Sequence, residues 1–394
     1  MKIIYILTRI PSLDAKGDQL VYYYRIKSFL KLGYEIELVL LLLKNRINKT
    51  KLMHLKKMGV SYKVYEIYKK RIILNLLRRI YKFDFFQPFQ VSIFYHPLAK
   101  KLLQEYAVYK ENLILFGLLR ACAIYPERIF KSGIDLIDSL TLNFYIRYKN
   151  EKNILKKLLI FIEYRLLKNY EKNMVLNSDF ALIVSNIDKS FIGLNNITVL
   201  PNGVDNKKFS PSDLIISNRI IFSGNMNYKP NIEAVIWFIE NCFEDLKTII
   251  PEVKLFICGA NPSKKILNYR DKFDNIFVTG KVDNLAKEIA KSSLAIAPMI
   301  SGSGIQNKIL EAMASGVPVV TNRKGLGDIK AQIDKEILVA ENPKDFNKLI
   351  CKVLNKKKFG RQIGLKGRLF ILKNYNWSNQ HEILNSVLNN IKSK

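Results

Sequence analysis

The order of apolar and polar positions predicts alternating strands and helices from the start of the chain. Residues 2–10 are mostly Ile, Tyr and Leu, a continuous apolar run typical of a strand inside a parallel sheet. A polar loop at 11–18 follows, and apolar positions at helical spacing over 19–32 end at Gly33, a common helix-ending residue. A second strand at 35–43 completes a βαβ unit, whose crossover we expect to be right-handed.

The alternation continues and is broken once. Further strands are predicted at 113–116, 134–137, 180–185 and 197–200, with a long helix at 151–176. Residues 201–205, Pro-Asn-Gly-Val-Asp, interrupt this pattern. A second series then predicts strands at 220–224, 254–258, 276–278, 294–298 and 317–321, and helices at 231–249 and 284–292. The pattern therefore predicts two doubly wound α/β domains, 1–205 and 206–375, with a terminal helix at 376–394 packing back on the first.

Composition supports globular domains inside a reducing compartment. With 394 residues and 48% hydrophobic positions, the chain is long and apolar enough for two or three cores. No apolar run reaches the roughly 20 residues that span a bilayer, and the first residues lack a signal-peptide pattern. The four cysteines and three histidines are scattered, so we expect no disulfide framework, structural zinc or cofactor. We expect a cytoplasmic protein.

The net charge of +30 is concentrated in two segments that also carry apolar residues. Residues 44–82 contain thirteen Lys and Arg against one acid, Glu66, and a second basic stretch covers 147–172. An anionic membrane surface, nucleic-acid phosphates or plain solvation of a Lys-rich face would each account for this charge. No nucleic-acid-binding motif accompanies it, so we expect no nucleic-acid partner, and charge alone does not decide between the other two.

The most informative stretch is the glycine-rich segment that follows the strand at 294–298. Gly302 and Gly304 allow close approach of a ligand, and the helix beginning near Ile305 offers free N–H groups and partial positive charge at the same edge of the sheet. Lys308 adds a full charge there, and Glu311 lies on nearly the same helical face. A cation beside a helix start suits a phosphate, and a carboxylate suits a sugar diol. An ordinary amphipathic helix with a solvated Lys–Glu pair is the alternative.

This segment, together with Gly316-Val317-Pro318-Val319-Val320, resembles the donor-site signature of glycosyltransferase family 4, enzymes of the GT-B fold. Other matching segments follow in the same order, namely Arg9–Pro11 with Lys16–Asp18, Gln87–Gln90, Pro201–Asp205 and Ser223–Asn231. The set is most similar to sugar transferases of bacterial exopolysaccharide clusters. The resemblance implies two Rossmann-like domains facing each other across a cleft. It also implies retaining transfer of a hexose from a nucleotide diphosphate to a saccharide or lipid-linked saccharide acceptor.

The resemblance also implies which residues bind the donor. They are Gly17, Asn225, Lys229, Ser303, Gly304, Gln306, Asn307, Lys308 and Glu311. Two positions depart from the family pattern. Ser303 stands where the family commonly has the first of two glutamates, and Gly224-Asn225 with Lys229 replaces the usual Gly-Arg and Lys. The charge on the pyrophosphate would then rest mainly on Lys308, Lys229 and backbone N–H groups.

Candidates in the first domain are weaker. The family's usual histidine near the sugar has no match here. Arg120, just after the strand at 113–116, is a candidate substitute, although an ordinary exposed arginine is the favoured interpretation of this position. Asp138 ends the strand at 134–137 and is a better candidate than Asp135, although a loop cap would also explain it. Lys16 and Asp18 would face the acceptor, or Asp18 would cap the following helix.

The expected mechanism needs no metal ion. The chain contains no Asp-x-Asp, and lysines with helix N–H groups can stabilise a leaving diphosphate directly. The acceptor would be reached at the inner face of the cytoplasmic membrane, where the protein would bind peripherally. Rival interpretations are a GT-B epimerase of the sugar nucleotide, a basic membrane- or nucleic-acid-binding protein, and a nicotinamide-dependent oxidoreductase. For the last, no strand is followed by G-x-G-x-x-G.

Overall fold

The computed structural model describes residues 1–15, 17–81, 86–126, 131–302 and 304–392. The chain forms two compact units, Met1–Pro201 with Gln380–Lys394, and Asn202–Asn379. It therefore passes from one unit to the other twice, a few residues from the boundaries near 205 and 376 that the sequence suggested. Each unit contains one parallel sheet whose strands alternate with helices along the chain.

The first unit is built on a parallel sheet. Its strands are β1 (Lys2–Leu7), β2 (Glu35–Leu43), β3 (Ser61–Ile67), β4 (Asn112–Gly117), β5 (Ser132–Ile137), β6 (Phe180–Ile183) and β7 (Ile197–Val199). Its helices are α1 (Asp18–Lys31), α2 (Lys49–Lys57), α3 (Lys69–Tyr81), α4 (Phe89–Ser92), α5 (Pro97–Ala107), α6 (Leu140–Asn150), α7 (Ile154–Leu176) and α8 (Asn186–Ile192). Among the described residues the sheet has seven strands in the order β3-β2-β1-β4-β5-β6-β7, all parallel.

A buried arginine ties several elements of the first unit together. The Arg25 side chain, fully excluded from solvent, donates from Nε to Asp135 Oδ2 at 3.2 Å and from Nη2 to the Leu200 carbonyl at 3.1 Å. The Tyr5 hydroxyl donates to the same Asp135 oxygen at 3.0 Å, and Arg25 also donates to Gln380. Because each partner compensates the desolvation of the other, Asp135 is a structural residue of the core.

The second unit has its own parallel sheet. Its strands are β8 (Ile216–Ser223), β9 (Lys254–Cys258), β10 (Ile276–Gly280), β11 (Ser292–Ala297), β12 (Val319–Thr321) and β13 (Leu338–Val339). Its helices are α9 (Lys229–Phe238), α10 (Glu244–Ile249), α11 (Lys264–Lys272), α12 (Leu285–Ala290), α13 (Asn307–Ala314), α14 (Arg323–Leu326), α15 (Pro343–Asn355) and α16 (Lys357–Asn374). The last helix, α17 (Trp377–Lys392), begins in the second unit and ends in the first. In the described part the strand order is β10-β9-β8-β11-β12-β13, again all parallel.

The structure corrects several predicted elements. The single helix expected at 231–249 is interrupted by a π-helical segment, Ile239–Phe243, in which Ile239, Cys242 and Phe243 all face the core. The helix expected from Ile305 begins at Asn307, with Gln306 as its N-cap. Within the basic stretch 44–82, for which no elements were predicted, the described residues form α2, β3 and α3. Its frequent charges obscure the short apolar periods of these elements.

Candidate active site

The second unit has a topological switch point between β8 and β11. These two strands are neighbours, but the chain continues from β8 to β9 on one side and from β11 to β12 on the other. Loops after such a pair leave in opposite directions and open a crevice at the carboxyl edge of the sheet, where α/β proteins bind ligands. The two loops here are residues 224–228 and 298–306.

The loop after β8 is a tight turn that requires glycine. A Cβ on Gly224 would lie 2.6 Å from Asn231 Nδ2, and a Cβ on Gly259 would lie 1.5 Å from the Gly224 carbonyl oxygen. Asn231 Nδ2 donates to the Asn225 carbonyl at 2.9 Å, which holds the turn against the first residues of α9. The turn therefore places the N-terminus of α9 at the switch point.

Lys308 is held in a defined position beside this turn. It belongs to the first turn of α13 and is half-buried. Its Nζ donates to Asn231 Oδ1 at 2.5 Å, lies 3.4 Å from Met299 Sδ, and stands 4.4 Å from the centre of the Phe222 ring. A cation fixed at a helix N-terminus adds to the partial charge of the helix, so this corner is suited to an anionic group. Glu311, half-buried, follows Lys308 on the same helical face.

The other candidates of the second unit are less enclosed. Lys229 is 77% exposed at the start of α9 and pairs with Glu233 Oε1 at 3.6 Å, and the Ser301 hydroxyl donates to Glu233. Asn225 is exposed and accepts from the Asn227 backbone N–H at 3.1 Å. These residues form the solvent-facing rim of the β8 loop.

The start of α13 is built from the remaining candidates. Gln306 is the N-cap residue, and Asn307 Oδ1 accepts from Asn202 Nδ2 at 3.2 Å. Gly304 has a φ of 74°, which favours glycine, and no atom lies within 4 Å of the position of a Cβ there. Ser303 lies outside the described residues, as does Lys16 of the first unit.

A third loop, which sequence reasoning missed, supports the glycine-rich segment. After β12, Asn322 Nδ2 donates to the Met299 carbonyl at 2.9 Å, and Lys324 Nζ donates to the Ile300 carbonyl at 2.8 Å. A Cβ on Gly327 would approach the Gly304 carbonyl oxygen to 3.3 Å. The signal was present in the sequence, because two glycines, Gly325 and Gly327, come four and six residues after the predicted strand at 317–321.

The first unit has a corresponding switch point between β1 and β4. In the loop after β1, Gly17 has a φ of 67° and is itself the N-cap of α1. Asp18 therefore does not cap the helix through its side chain. Instead its Oδ1 accepts from Arg9 Nη1 at 2.9 Å, and its negative charge lies favourably in the first turn of α1.

Arg120, in the 3₁₀ turn Leu119–Ile124 after β4, is half-buried and anchored. Its Nη2 donates to Gln90 Oε1 at 2.9 Å, and the backbone N–H groups of Phe89 and Gln90 donate to the Glu163 carboxylate at 2.9 and 2.8 Å. Burial and the charge of Arg9 lower the pKa of Arg120, while Asp138 and Asp18 oppose that shift. The buried Nε of Arg120 has no hydrogen-bond partner among the described residues.

Asp138 follows β5 and is a carboxyl group of this edge with a raised pKa. Burial raises the pKa of Asp138 to about 6, and the nearby Asp188 carboxylate adds to the shift. A hydrogen bond from Asn143 Nδ2 at 3.0 Å and the charge of Arg120 act in the opposite direction. Such a pKa is typical of a group with a chemical role, although structural networks produce it as well.

The backbone around Asp138 is held by two more buried carboxylates. The Ser139 N–H donates to Asp188 Oδ1 at 3.0 Å, its hydroxyl donates to Glu171 Oε2 at 2.7 Å, and the Leu140 N–H donates to Glu171 Oε1 at 3.0 Å. Burial raises the pKa of Glu171 to about 7.

Two residues at this edge have left-handed backbone conformations, Leu118 with a φ of 64° and Ile137 with a φ of 61°. For Ile137, a β-branched residue, the conformation is strained. Strain at a sheet edge that also carries buried charges is typical of functional sites.

No group of three or more His, Cys, Asp or Glu side chains among the described residues is arranged to hold a metal ion. No helix in the same part of the chain combines the length and apolarity needed to cross a membrane.

Comparison with known proteins agrees with this geometry. Residues 217–356, which include both loops of the second unit's switch point and Lys308, match the family model described as Glycosyl transferases group 1. The chain is 24% identical over 237 residues to an "Uncharacterized 44.6 kDa protein in cps region" of Klebsiella pneumoniae. That match covers 58% of this chain and 61% of the relative.

Solved structures are similar over the whole chain. TarM of S. aureus has a TM-score of 0.72 at 14% identity, with 99% of each chain covered. Anabaena HepE in complex with UDP-glucose has a TM-score of 0.69 at 12% identity, with 100% of each chain covered. The protein therefore has the GT-B fold, and this expectation from the sequence is confirmed.

Proposed function

We propose that this protein is a glycosyltransferase that moves a sugar from a nucleotide diphosphate donor to a saccharide or lipid-linked saccharide acceptor, in the synthesis of a cell-surface polysaccharide. The observation that carries the proposal is Lys308, fixed at the start of α13 within the segment that matches the Glycosyl transferases group 1 model. The GT-B fold and the UDP-glucose named for HepE agree with such a donor. The cps-region relative supports a role in polysaccharide synthesis.

In this proposal the second unit binds the donor. Lys308 and the N-terminal N–H groups of α13 contact the diphosphate, and Glu311 accepts hydrogen bonds from the ribose hydroxyls. Lys229, Asn225, Ser303, Gly304, Gln306 and Asn307 complete the donor site. As the bond from the anomeric carbon to the diphosphate breaks, negative charge grows on the leaving phosphate. Lys308 and the helix N-terminus stabilise that charge without a metal ion.

The first unit provides the acceptor side. Above pH 6 the Asp138 carboxylate is ionised and suited to accept a hydrogen bond from an acceptor hydroxyl. Arg120, positioned by Gln90, contributes a fixed positive charge, and Gly17, Lys16 and Asp18 contact the ligands from the loop after β1. The acceptor hydroxyl attacks on the face from which the diphosphate leaves and passes its proton to the departing phosphate oxygen, so the anomeric configuration is retained and no protein nucleophile is needed.

The test is a thermal-shift panel of sugar nucleotides followed by transfer assays in excess EDTA. A ligand that binds only the folded protein raises its melting temperature as its concentration exceeds the dissociation constant. We expect stabilisation by at least one sugar nucleotide and transfer that EDTA leaves intact. Donor turnover without any acceptor would instead identify an epimerase. If no nucleotide raised the melting temperature, the proposed donor site would be wrong. If EDTA abolished transfer, the proposed metal independence would be wrong.

A further inference from the structure

Helix α3 packs Ile72 against the core, but it also buries two polar side chains and exposes several large apolar ones. Its inner face buries Asn75, whose Nδ2 donates to the carbonyls of Ile93 and Tyr95 at 3.1 and 2.8 Å, and Arg79, whose guanidinium lies 4.0 Å from the Phe89 ring centre. Its outer face exposes large apolar side chains. They are Ile73, Leu74, Leu77 and Tyr81. A helix that served only to cover a core would point these groups the other way.

Helix α7 packs Leu167 and Val175 of its later turns against the core, but it shows the same combination of buried polar and exposed apolar side chains. Both of its carboxylates, Glu163 and Glu171, are buried, whereas its first turns expose a broad apolar face. That face consists of Ile154, Leu155, Leu158, Leu159, Phe161 and Ile162. Ile154, Leu158 and Ile162 are spaced by four residues and lie in one row, with Leu155 and Leu159 in the adjacent row. We call the exposed faces of α3 and the first turns of α7 the apolar-basic surface.

Positive charges surround the apolar groups of this surface. In α3 they are Lys69, Lys70, Arg71 and Arg78, and in α7 they are Lys156, Lys157, Arg165, Lys168 and Lys172. Arg165, Lys168 and Lys172 follow Ile154, Leu158 and Phe161 on one side of α7, so this side is apolar at the start of the helix and basic in its later turns. Helix α3 contains no acid at all. An apolar face within a dense ring of cations is complementary to a membrane with anionic headgroups, whereas a protein partner would need a matching acidic ring.

Both helices contact the same short segment. Arg79 of α3 stacks on Phe89, and Glu163 of α7 accepts from the backbone of Phe89 and Gln90. Gln90 in turn accepts from Arg120. One segment therefore joins the apolar-basic surface to a candidate acceptor-side arginine.

We infer that the apolar-basic surface inserts into the interface of an anionic membrane, and that this docking brings a lipid-linked acceptor to Arg120. The second half of the inference rests on the proposed function, whereas the docking itself does not. The first turns of α7 enter the headgroup region with their leucines, and the basic residues behind them contact the anionic headgroups.

The test is flotation of the full chain with vesicles of phosphatidylcholine alone and with added phosphatidylglycerol. We expect flotation with the anionic vesicles, weakened by salt. The variant Leu155→Asn with Leu159→Asn should lower the bound fraction about tenfold or more, because two large apolar groups leave the bilayer. Leu74→Asn with Leu77→Asn in α3 should act in the same direction.

A matched control lies on α16 in the second unit. Leu365 and Leu369 are 59% and 58% exposed, close to the 74% and 66% of Leu155 and Leu159, and have the same spacing on another basic helix. Leu365→Asn with Leu369→Asn should leave flotation unchanged. The inference is overturned if the wild type floats with neither vesicle or if the control pair loses as much binding as the α7 pair. It is also overturned if the wild type is a dimer without lipid that the α7 pair converts to monomer, since a second copy would then cover the surface.

Flotation and transfer separate the two hypotheses. In a protein that binds vesicles, the α7 pair should keep its activity toward a soluble saccharide and lose it toward a vesicle-embedded acceptor. If the wild type floats with anionic vesicles but transfers no sugar, the docking surface stands and the proposed function is wrong. Equal activity of wild type and α7 pair toward the embedded acceptor would overturn the link to the acceptor.

Discussion

The two switch points of this molecule share their topology and differ in their electrostatics. In the second unit, between β8 and β11, the charged group nearest the helix start is Lys308, and the carboxylate that follows it is half-buried. In the first unit the switch point lies between β1 and β4, and the next strand at the same edge, β5, is followed by Asp138, whose loop also contacts Glu171; burial raises the pKa values of these two carboxyl groups to about 6 and about 7. The same kind of parallel-sheet edge thus carries a fixed cation in one unit and carboxyl groups of raised pKa in the other. The side chains that follow the strands, and not the fold, decide which of these forms.

The largest expected effect separates the two lysines of the second unit. Lys308→Ala should lower kcat about 100- to 1,000-fold, because the variant lacks the fixed, half-buried positive charge that stabilises the leaving diphosphate in the proposed mechanism. Lys229→Ala should cost only a few-fold, because that side chain is 77% exposed and screened by solvent. Steady-state kinetics with varied donor measure both. If the two variants lost the same factor in kcat, the fixed Lys308 and the exposed Lys229 would not differ in their contribution.

Asp138→Asn tests the first unit and should lower kcat/KM about 100-fold. It should also stabilise the protein at pH 7.5. The folded pKa of about 6 exceeds the ordinary value of 3.8, so the folded state binds more protons between these values and loses stability as pH rises through that window. Asn carries no charge and escapes this loss, so we expect a gain of about 1 kcal/mol or more at pH 7.5, absent below pH 4.

Urea unfolding at pH 3.5 and 7.5 measures that gain. Asp283→Asn, at an exposed position of the second unit, is the control and should change neither kcat/KM nor the free energy of unfolding. A loss of stability at pH 7.5 in Asp138→Asn would show that the carboxylate is mainly a structural hydrogen-bond acceptor.

The pH dependence of kcat/KM should also report the ionisation of Asp138 and Glu171, with a smaller change than Asp138→Asn produces. We expect kcat/KM of the wild type to rise by up to about tenfold as pH increases through 6 to 7, as Asp138 and the buried Glu171 lose their protons. Because the two carboxyl groups interact, the midpoint belongs to the pair. Asp138→Asn should lose the lower part of this rise. A flat profile over pH 5–8 would exclude a role for the ionised cluster.

The smallest effects are expected at two glycines, one in each unit. Gly17 and Gly304 both have positive φ, and neither has an atom within 4 Å of a Cβ position. An alanine Cβ would therefore meet no protein atom at either position, and the free energy of unfolding would fall only through backbone strain, by about 1 to 3 kcal/mol at each site. Thermal unfolding should show a correspondingly small loss of stability, and kcat/KM should fall about fivefold or less. Gly224→Ala, whose Cβ would collide with Asn231, should be clearly worse.

The local pattern of apolar and polar residues was sufficient to predict the bounds of strands that are apolar and flanked by turn residues. The strands predicted at 35–43 and 254–258 coincide with β2 and β9, because their hydrophobic runs have clear ends. The pattern failed over 44–82, where α3 points its apolar face outward and buries Asn75 and Arg79. Periodicity shows that a helix is amphipathic, but it does not show which face the fold will cover.

The sequence by itself determined the two series of βα units, the glycine-rich turn before α13 and the presence of Lys308 and Glu311 one helical turn apart, because these depend on neighbours in the chain. Only the tertiary structure decided that Asn231 and Phe222 hold Lys308 in place. It also decided that Glu163 positions the segment that anchors Arg120. Burial and pairing, finally, make Asp135 a structural residue and raise the pKa of Asp138 to about 6. Those properties come from burial and from partners distant in sequence. No local pattern encodes them, since desolvation and pairing exist only after the sheet has formed.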